Sequence, residues 1–141
     1  MNKVLGFAVA MVVSAVTLTS ANAERLTAES GDLLRGSDMR SLFADATFTG
    51  INEFGNDYVS NLYEGGDMTG DAISPDGILL ESDTGRWWVR NDVWCREWDT
   101  WFGGFPACFK IVKDGDTIKF FDTSNNLVSD TTYTANAAAP R

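Results

Sequence analysis

The sequence contains no histidine, only two cysteines and only three prolines in 141 residues. Without histidine the commonest general base, proton shuttle and zinc ligand is missing, which removes histidine-dependent hydrolysis and mixed Cys/His metal sites from consideration. Two cysteines cannot build a four-thiolate site, and a catalytic thiol would have no imidazole to activate it. Cations are also scarce: 11 Lys and Arg face 20 Asp and Glu, a net charge of −9. That balance argues against nucleic acid and against anionic membrane surfaces, both of which attract Lys and Arg.

Long apolar runs are missing everywhere but at the start. Lys3 precedes a nearly uninterrupted apolar stretch from Val4 to Leu18, followed by the small-x-small pattern Ala21-Asn22-Ala23. This is the layout of a secretory leader, residues 1–23, with the mature chain beginning at Glu24. The apolar stretch is shorter than the roughly 20 residues of a spanning helix, and an uncleaved anchor is the rival reading. No cysteine near the cleavage site could take a lipid, so a periplasmic or secreted protein with no membrane span is expected. Removing 23 of the 141 residues leaves 118, one domain's worth of chain, with a net charge of −10 once Lys3 is gone.

Beyond the leader the pattern is mostly that of strands. Ser37 is placed to cap a short helix whose Met39, Leu42 and Phe43 form one apolar stripe, with Gly31 and Gly36 breaking the stretch before it. From Thr47 the period becomes two, Phe48, Gly50, Asn52 and Phe54 sharing one face. Turn residues then recur at Gly55-Asn56, Gly65-Gly66, Pro75-Asp76-Gly77, Asn91-Asp92, Asp114-Gly115 and Asn125-Asn126. Between them lie strand-length runs at 58–64, 67–74, 78–82, 86–90, 93–98, 107–113, 117–122 and 127–133. Consecutive strands joined by short turns pair as antiparallel neighbours, so the expected fold is mainly β. It is a small, up-and-down, lipocalin-like barrel with a short N-terminal helix, over residues 24–134, and a β-sandwich is the alternative. Residues 135–141, rich in alanine, read as a flexible tail.

All five tryptophans fall between Trp87 and Trp101, and Cys95 and Cys108 lie within and just beyond that stretch. In an exported chain the two cysteines are expected to form a structural disulfide tying one strand to the next. If 93–98 is extended, Trp94, Arg96 and Trp98 share one face and Cys95 the other. The connection after it carries Trp101, Phe102 and Phe105 around Gly103-Gly104, more aromatic than a solvated loop requires. Two readings stay open: these rings plug an end of the barrel, or they form an exposed patch with Arg96 and Asp99 as polar neighbours. Arg96, Trp98, Trp101, Phe102 and Phe105 are therefore the candidate ligand- or partner-binding residues. Asp114-Gly115-Asp116 lacks the longer ligand set of a calcium loop and reads as a type I′ hairpin turn. With no singled-out carboxylate pair, no metal site and no cofactor motif, the chain is read as a binding protein rather than an enzyme.

Gly85-Arg86-Trp87-Trp88-Val89, Cys95 with Trp98, Cys108-Phe109 and the Val112-Lys113-Asp114-Gly115-Asp116 hairpin occur in the order seen in small exported bacterial proteins of the domain of unknown function 995 family, which this chain resembles. Ser74-Pro75-Asp76-Gly77 and the Leu42–Gly50 segment also look like parts of that pattern, while the aromatic loop 100–105 departs from it. The resemblance implies an exported β domain and brings no activity. Function is thus expected to be binding, of a small apolar or glycan ligand or of an envelope protein. The alternative is a structural or inhibitory interaction module whose barrel is filled by Trp87, Val89, Phe109, Ile111 and Phe120. Export makes a direct prediction: the protein recovered from its native host should begin at Glu24, and an intact mass that retains residues 1–23 would overturn the leader assignment.

Overall fold

The computed structural model describes residues 31–135, so the leader and all of the expected tail except Ala135 lie outside the described residues. In chain order the elements are β1 (Asp32–Leu33), α1 (Gly36–Phe43), β2 (Ala46–Ile51), β3 (Asp57–Leu62), β4 (Asp67–Ile73), β5 (Leu79–Arg90), β6 (Val93–Trp98), a 3-10 turn (Trp101–Gly104), β7 (Ala107–Asp114), β8 (Thr117–Phe121) and β9 (Leu127–Ala135). Strands β2 to β9 pair antiparallel, each with the next, and the pairing of β9 with β2 closes an eight-stranded barrel. Ala135 is the last residue of β9, opposite Ala46.

Period-two alternation decides which side chains enter. Phe48, Leu62, Met68, Trp87, Trp94, Trp98, Ile111, Ile118 and Phe120 are all buried, and with Met39 and Phe43 of α1 they form one continuous core. Trp94 sits at its centre, within 6.4 Å of the rings of Phe43, Phe48, Phe109 and Phe120. Outward positions such as Thr69, Asp71, Ser82, Thr84 and Arg86 are polar, the reverse of a barrel that faces lipid. Lipocalins keep room for a ligand inside eight strands, whereas side chains occupy this interior; the fold is a closed barrel in the general sense.

Several local expectations are corrected. Ser37 does not cap α1; the Gly36 amide donates to Asp92 Oδ1 (2.8 Å) in the β5–β6 turn, so the helix start is satisfied from across the barrel rather than locally. Met39 and Phe43 are fully buried and Leu42 packs beside them, as the stripe requires. The stretches 78–82 and 86–90 are not two strands but one, because Asp83 and Gly85 continue the pairing with β4 through Thr69 and beyond. Strand β2 ends at Ile51, leaving Phe54 in the loop and 79% exposed. At Gly115-Asp116 only the glycine has positive φ, the pattern of a type II′ turn, whereas Asn91 and Asp92 both do, as type I′ demands.

The hairpin loops after β2, β3, β4 and β8 share one construction. In each the first residue donates its amide to the carbonyl four residues on, and its own carbonyl accepts from the residue three on, which is Gly55, Gly66, Gly77 or Asn125 at positive φ. In three of them a side chain at the first position, Asn52, Ser74 or Asp122, also accepts the amide four residues ahead. These are type I turns followed by a left-handed residue, a geometry that few side chains but glycine and asparagine tolerate.

One seam is weak. Strands β6 and β7 pair over only three positions, Trp94–Phe109, Cys95–Cys108 and Arg96–Ala107; beyond them β1 takes the free edge of β7 at Val112 and Lys113. The disulfide Cys95–Cys108 joins the middle pair, with Cα atoms 4.0 Å apart. A loop of this length closed covalently contributes about 3 kcal/mol. Replacing both cysteines by alanine should lower the denaturation free energy by about that amount; an unchanged midpoint in a chemical melt would show that the seam holds without the bond.

Candidate functional site

In an up-and-down meander alternate connections share an end. The β3–β4, β5–β6 and β7–β8 turns lie with α1, and Met39 and Phe43 close that end against Phe48 and Trp94. The β2–β3, β4–β5, β6–β7 and β8–β9 connections gather at the other, the loop end.

The five candidate residues meet at the loop end but do not share one environment. Trp98 is 5% exposed and belongs to the core, with Trp101 half-buried against it at 4.8 Å between ring centroids. Room for the pair comes from Gly70, where a Cβ would lie 2.5 Å from Trp101 and 2.7 Å from Trp98. Phe102 and Phe105 are 64% and 73% exposed. The loop therefore does both things at once, two tryptophans turned in and two phenylalanines turned out.

Arg96 links the halves. Its side chain points into the barrel, with the guanidinium 4.1 Å from the Phe102 ring centroid and 5.7 Å from that of Phe109. Burial lowers its pKa to about 10, partly countered by nearby Tyr58, so it stays charged at neutral pH. Its Nη1 is buried and has no hydrogen-bond partner among the described residues. Two aromatic faces thus supply much of what holds this cation. Tyr58, its pKa raised chiefly by burial, stands across the barrel with its ring over Gly50, where a Cβ would come within 2.8 Å of it.

The loop is held from β5 by Asp83, which is 8% exposed. Its carboxylate accepts from the amides of Thr100 (3.0 Å) and Trp101 (2.7 Å), the start of the 3-10 turn, and from Thr84 (3.0 Å). Burial alone would raise the Asp83 pKa, but the Trp101, Thr100 and Thr84 hydrogen bonds outweigh it and the net shift is downward. Phe102 adopts φ 54°, a left-handed conformation unfavourable for a bulky side chain, and Gly103 and Gly104 follow it at positive φ. The rings are displayed by a loop fixed at its root, not by a slack one.

The other three connections at this end are flanked by apolar residues. Phe54 and Ile78 lie in the β2–β3 and β4–β5 connections, and Ile51, Leu79, Leu80, Leu127 and Val128 lie beside the connections, at the end of β2 and the starts of β5 and β9, each more than half exposed. Together with Phe102 and Phe105 they are nine of the ten large apolar residues described as exposed; only Tyr63 lies at the helix end. Phe102 and Phe105 apart, neither these nor Asp83 and Tyr58 stand out in the sequence. The signal is there in the alternation of connections, which puts all four of these connections, and the strand ends beside them, on one side. Two open hollows, of about 360 and 620 Å³, lie along β4, β5 and β6, lined by residues such as Thr69, Asp71, Ser82, Arg86 and Asp99. No group of three or more Cys, Asp or Glu among the described residues could hold a metal, and no described helix is long and apolar enough to cross a membrane.

The ionised Asp83 is the state that holds the loop, and its folded pKa lies below the ordinary aspartate value of about 3.9. Its stabilisation is complete at neutral pH and is lost only as pH falls through that depressed value. Tryptophan emission should therefore shift to the red at a pH below about 3.9, and Asp83→Asn should show the shifted spectrum already at neutral pH. A spectrum that Asp83→Asn leaves unchanged would mean that the loop does not depend on this carboxylate. No protein-family model, curated protein or solved structure matches this chain, so the resemblance to the domain of unknown function 995 family rests on its motifs.

Proposed function

We propose that this is an exported surface-recognition module that docks a partner protein on its loop end. The observation that carries the reading is the gathering of nine exposed apolar residues in and beside four connections at one end of a barrel whose interior is already filled. A ligand held inside would need space that Trp94, Phe109, Phe120 and their neighbours take up, which favours the interaction module over a small-molecule carrier. Exposed aromatics are typical interface anchors, and anchors that are rigid before binding lose little entropy on it. Asn52, Ser74, Asp122 and Asp83 supply that rigidity through their backbone hydrogen bonds. An exported protein of this kind meets its partner in the periplasm or outside the cell, and its role is structural or inhibitory rather than catalytic.

The test is a position-specific photocrosslink in the native host. A photoreactive phenylalanine analogue at Phe54 or Phe105 should yield a discrete protein adduct, and the same analogue at Glu64, on the helix end, should not. In a Phe54→Asp/Phe105→Asp background a crosslinker at Ile78 should lose the adduct while the melting temperature moves by no more than about 2 °C, since both rings are exposed. Equal adducts from both ends, or none from the loop end, would overturn the proposal.

A further inference from the structure

Charge is distributed unequally between the two ends. Glu53, Asp57, Asp76, Glu81, Asp99 and Asp130 are all exposed at or beside the loop end. Of the eight described cations only Arg96 and Lys110 come from that half, and neither is presented to solvent as a free charge: Arg96 lies beneath Phe102, and Lys110 Nζ donates to Asn125 Oδ1 at 2.7 Å. Arg35, Arg40, Arg90 and Lys113 belong to the helix end, Lys119 reaches toward it to pair with Asp114 at 3.2 Å, and Arg86 is paired with Glu97 on the barrel wall. The loop end thus carries mostly carboxylates, and the cations nearest to them are Lys119, opposite Asp130 in the β8–β9 pairing, and Arg86, which is paired with Glu97 and lines one hollow with Asp99.

From this segregation we infer that the partner presents apolar side chains flanked by lysine or arginine, in the manner of a basic amphipathic helix or a basic protein surface with an apolar centre. The inference rests on the loop end being the docking surface and adds the chemistry of what docks there. Opposite charge around an apolar contact steers encounter and rejects wrong partners, and here it rejects three by sign. An anionic bilayer would meet six carboxylates, an acidic protein likewise, and a second copy docking loop end to loop end would set the two sets of carboxylates against each other. The apolar residues supply contact area; the carboxylates supply the choice.

The experiment uses two synthetic helical peptides, one of leucine and lysine and one of leucine and glutamate, with binding read by fluorescence anisotropy. The lysine peptide should bind and the glutamate peptide should not, and binding should weaken about tenfold between about 20 and 300 mM salt. Charge reversal at the loop end, Glu53→Lys/Glu81→Lys/Asp130→Lys, should weaken the lysine peptide about tenfold and admit the glutamate peptide. Reversal of three helix-end carboxylates, Asp38→Lys/Glu64→Lys/Asp116→Lys, changes net charge equally and should have an effect below about threefold. Equal losses from the two reversals would reduce the attraction to net charge and overturn the inference, as would preference for the glutamate peptide, binding to phosphatidylcholine vesicles in place of peptide, or self-association through the loop end. Loss of peptide binding in Phe54→Asp/Phe105→Asp together with indifference to loop-end reversal would sink the charge argument and leave the docking surface standing. Indifference to Phe54→Asp/Phe105→Asp would instead remove the docking surface itself.

Discussion

A closed barrel of eight strands encloses a fixed volume, and here that volume must hold an unusual load of aromatic rings. The balance is struck by removing side chains from the wall beside the rings. Gly70 makes room for Trp98 and Trp101, and Gly50 for Tyr58, each at a distance that no Cβ could occupy. Trp94 then fills the middle and α1 closes one end with Met39 and Phe43. Nearly everything else depends on this packing. Because the interior is occupied, Phe102 and Phe105 have nowhere to go but outward, and the surface at the loop end is in part the overflow of the core.

The fold is legible in the sequence because its two main signals are local. Period-two alternation assigns Phe48, Trp94, Trp98 and Ile111 to the inside, and glycine or asparagine marks the left-handed position of each hairpin. The pattern misleads where a residue that looks like a turn former serves the interior. Asp83-Thr84-Gly85 resembles a break, yet Asp83 points to the amides of Thr100 and Trp101, and Gly85 is pressed against the Glu97 carbonyl, where a Cβ would lie 2.4 Å away. Ser37 has the chemistry of a cap but loses the position to Asp92, some 56 residues distant from Gly36 in sequence. Contacts between residues so far apart leave no local pattern.

The candidate site is legible by composition and not by geometry. Tryptophans, phenylalanines and glycines mark out the β6–β7 connection, and its two readings, plug and patch, are each partly right. Trp98 and Trp101 pack as plug, Phe102 and Phe105 as patch, and Arg96 spans them through its contact with the Phe102 ring. The remaining apolar residues of the surface are hidden in the sequence because Ile78-Leu79-Leu80 and Leu127-Val128 look like ordinary strand interior until the ends of the barrel are assigned.

The described chain enters and leaves on the same side. Gly31 lies against Lys113 and Asp114, and Ala135 ends β9 opposite Ala46, so both termini belong to the end that α1 covers. Both ends of the described chain thus leave the barrel on the side away from the β2–β3, β4–β5, β6–β7 and β8–β9 connections.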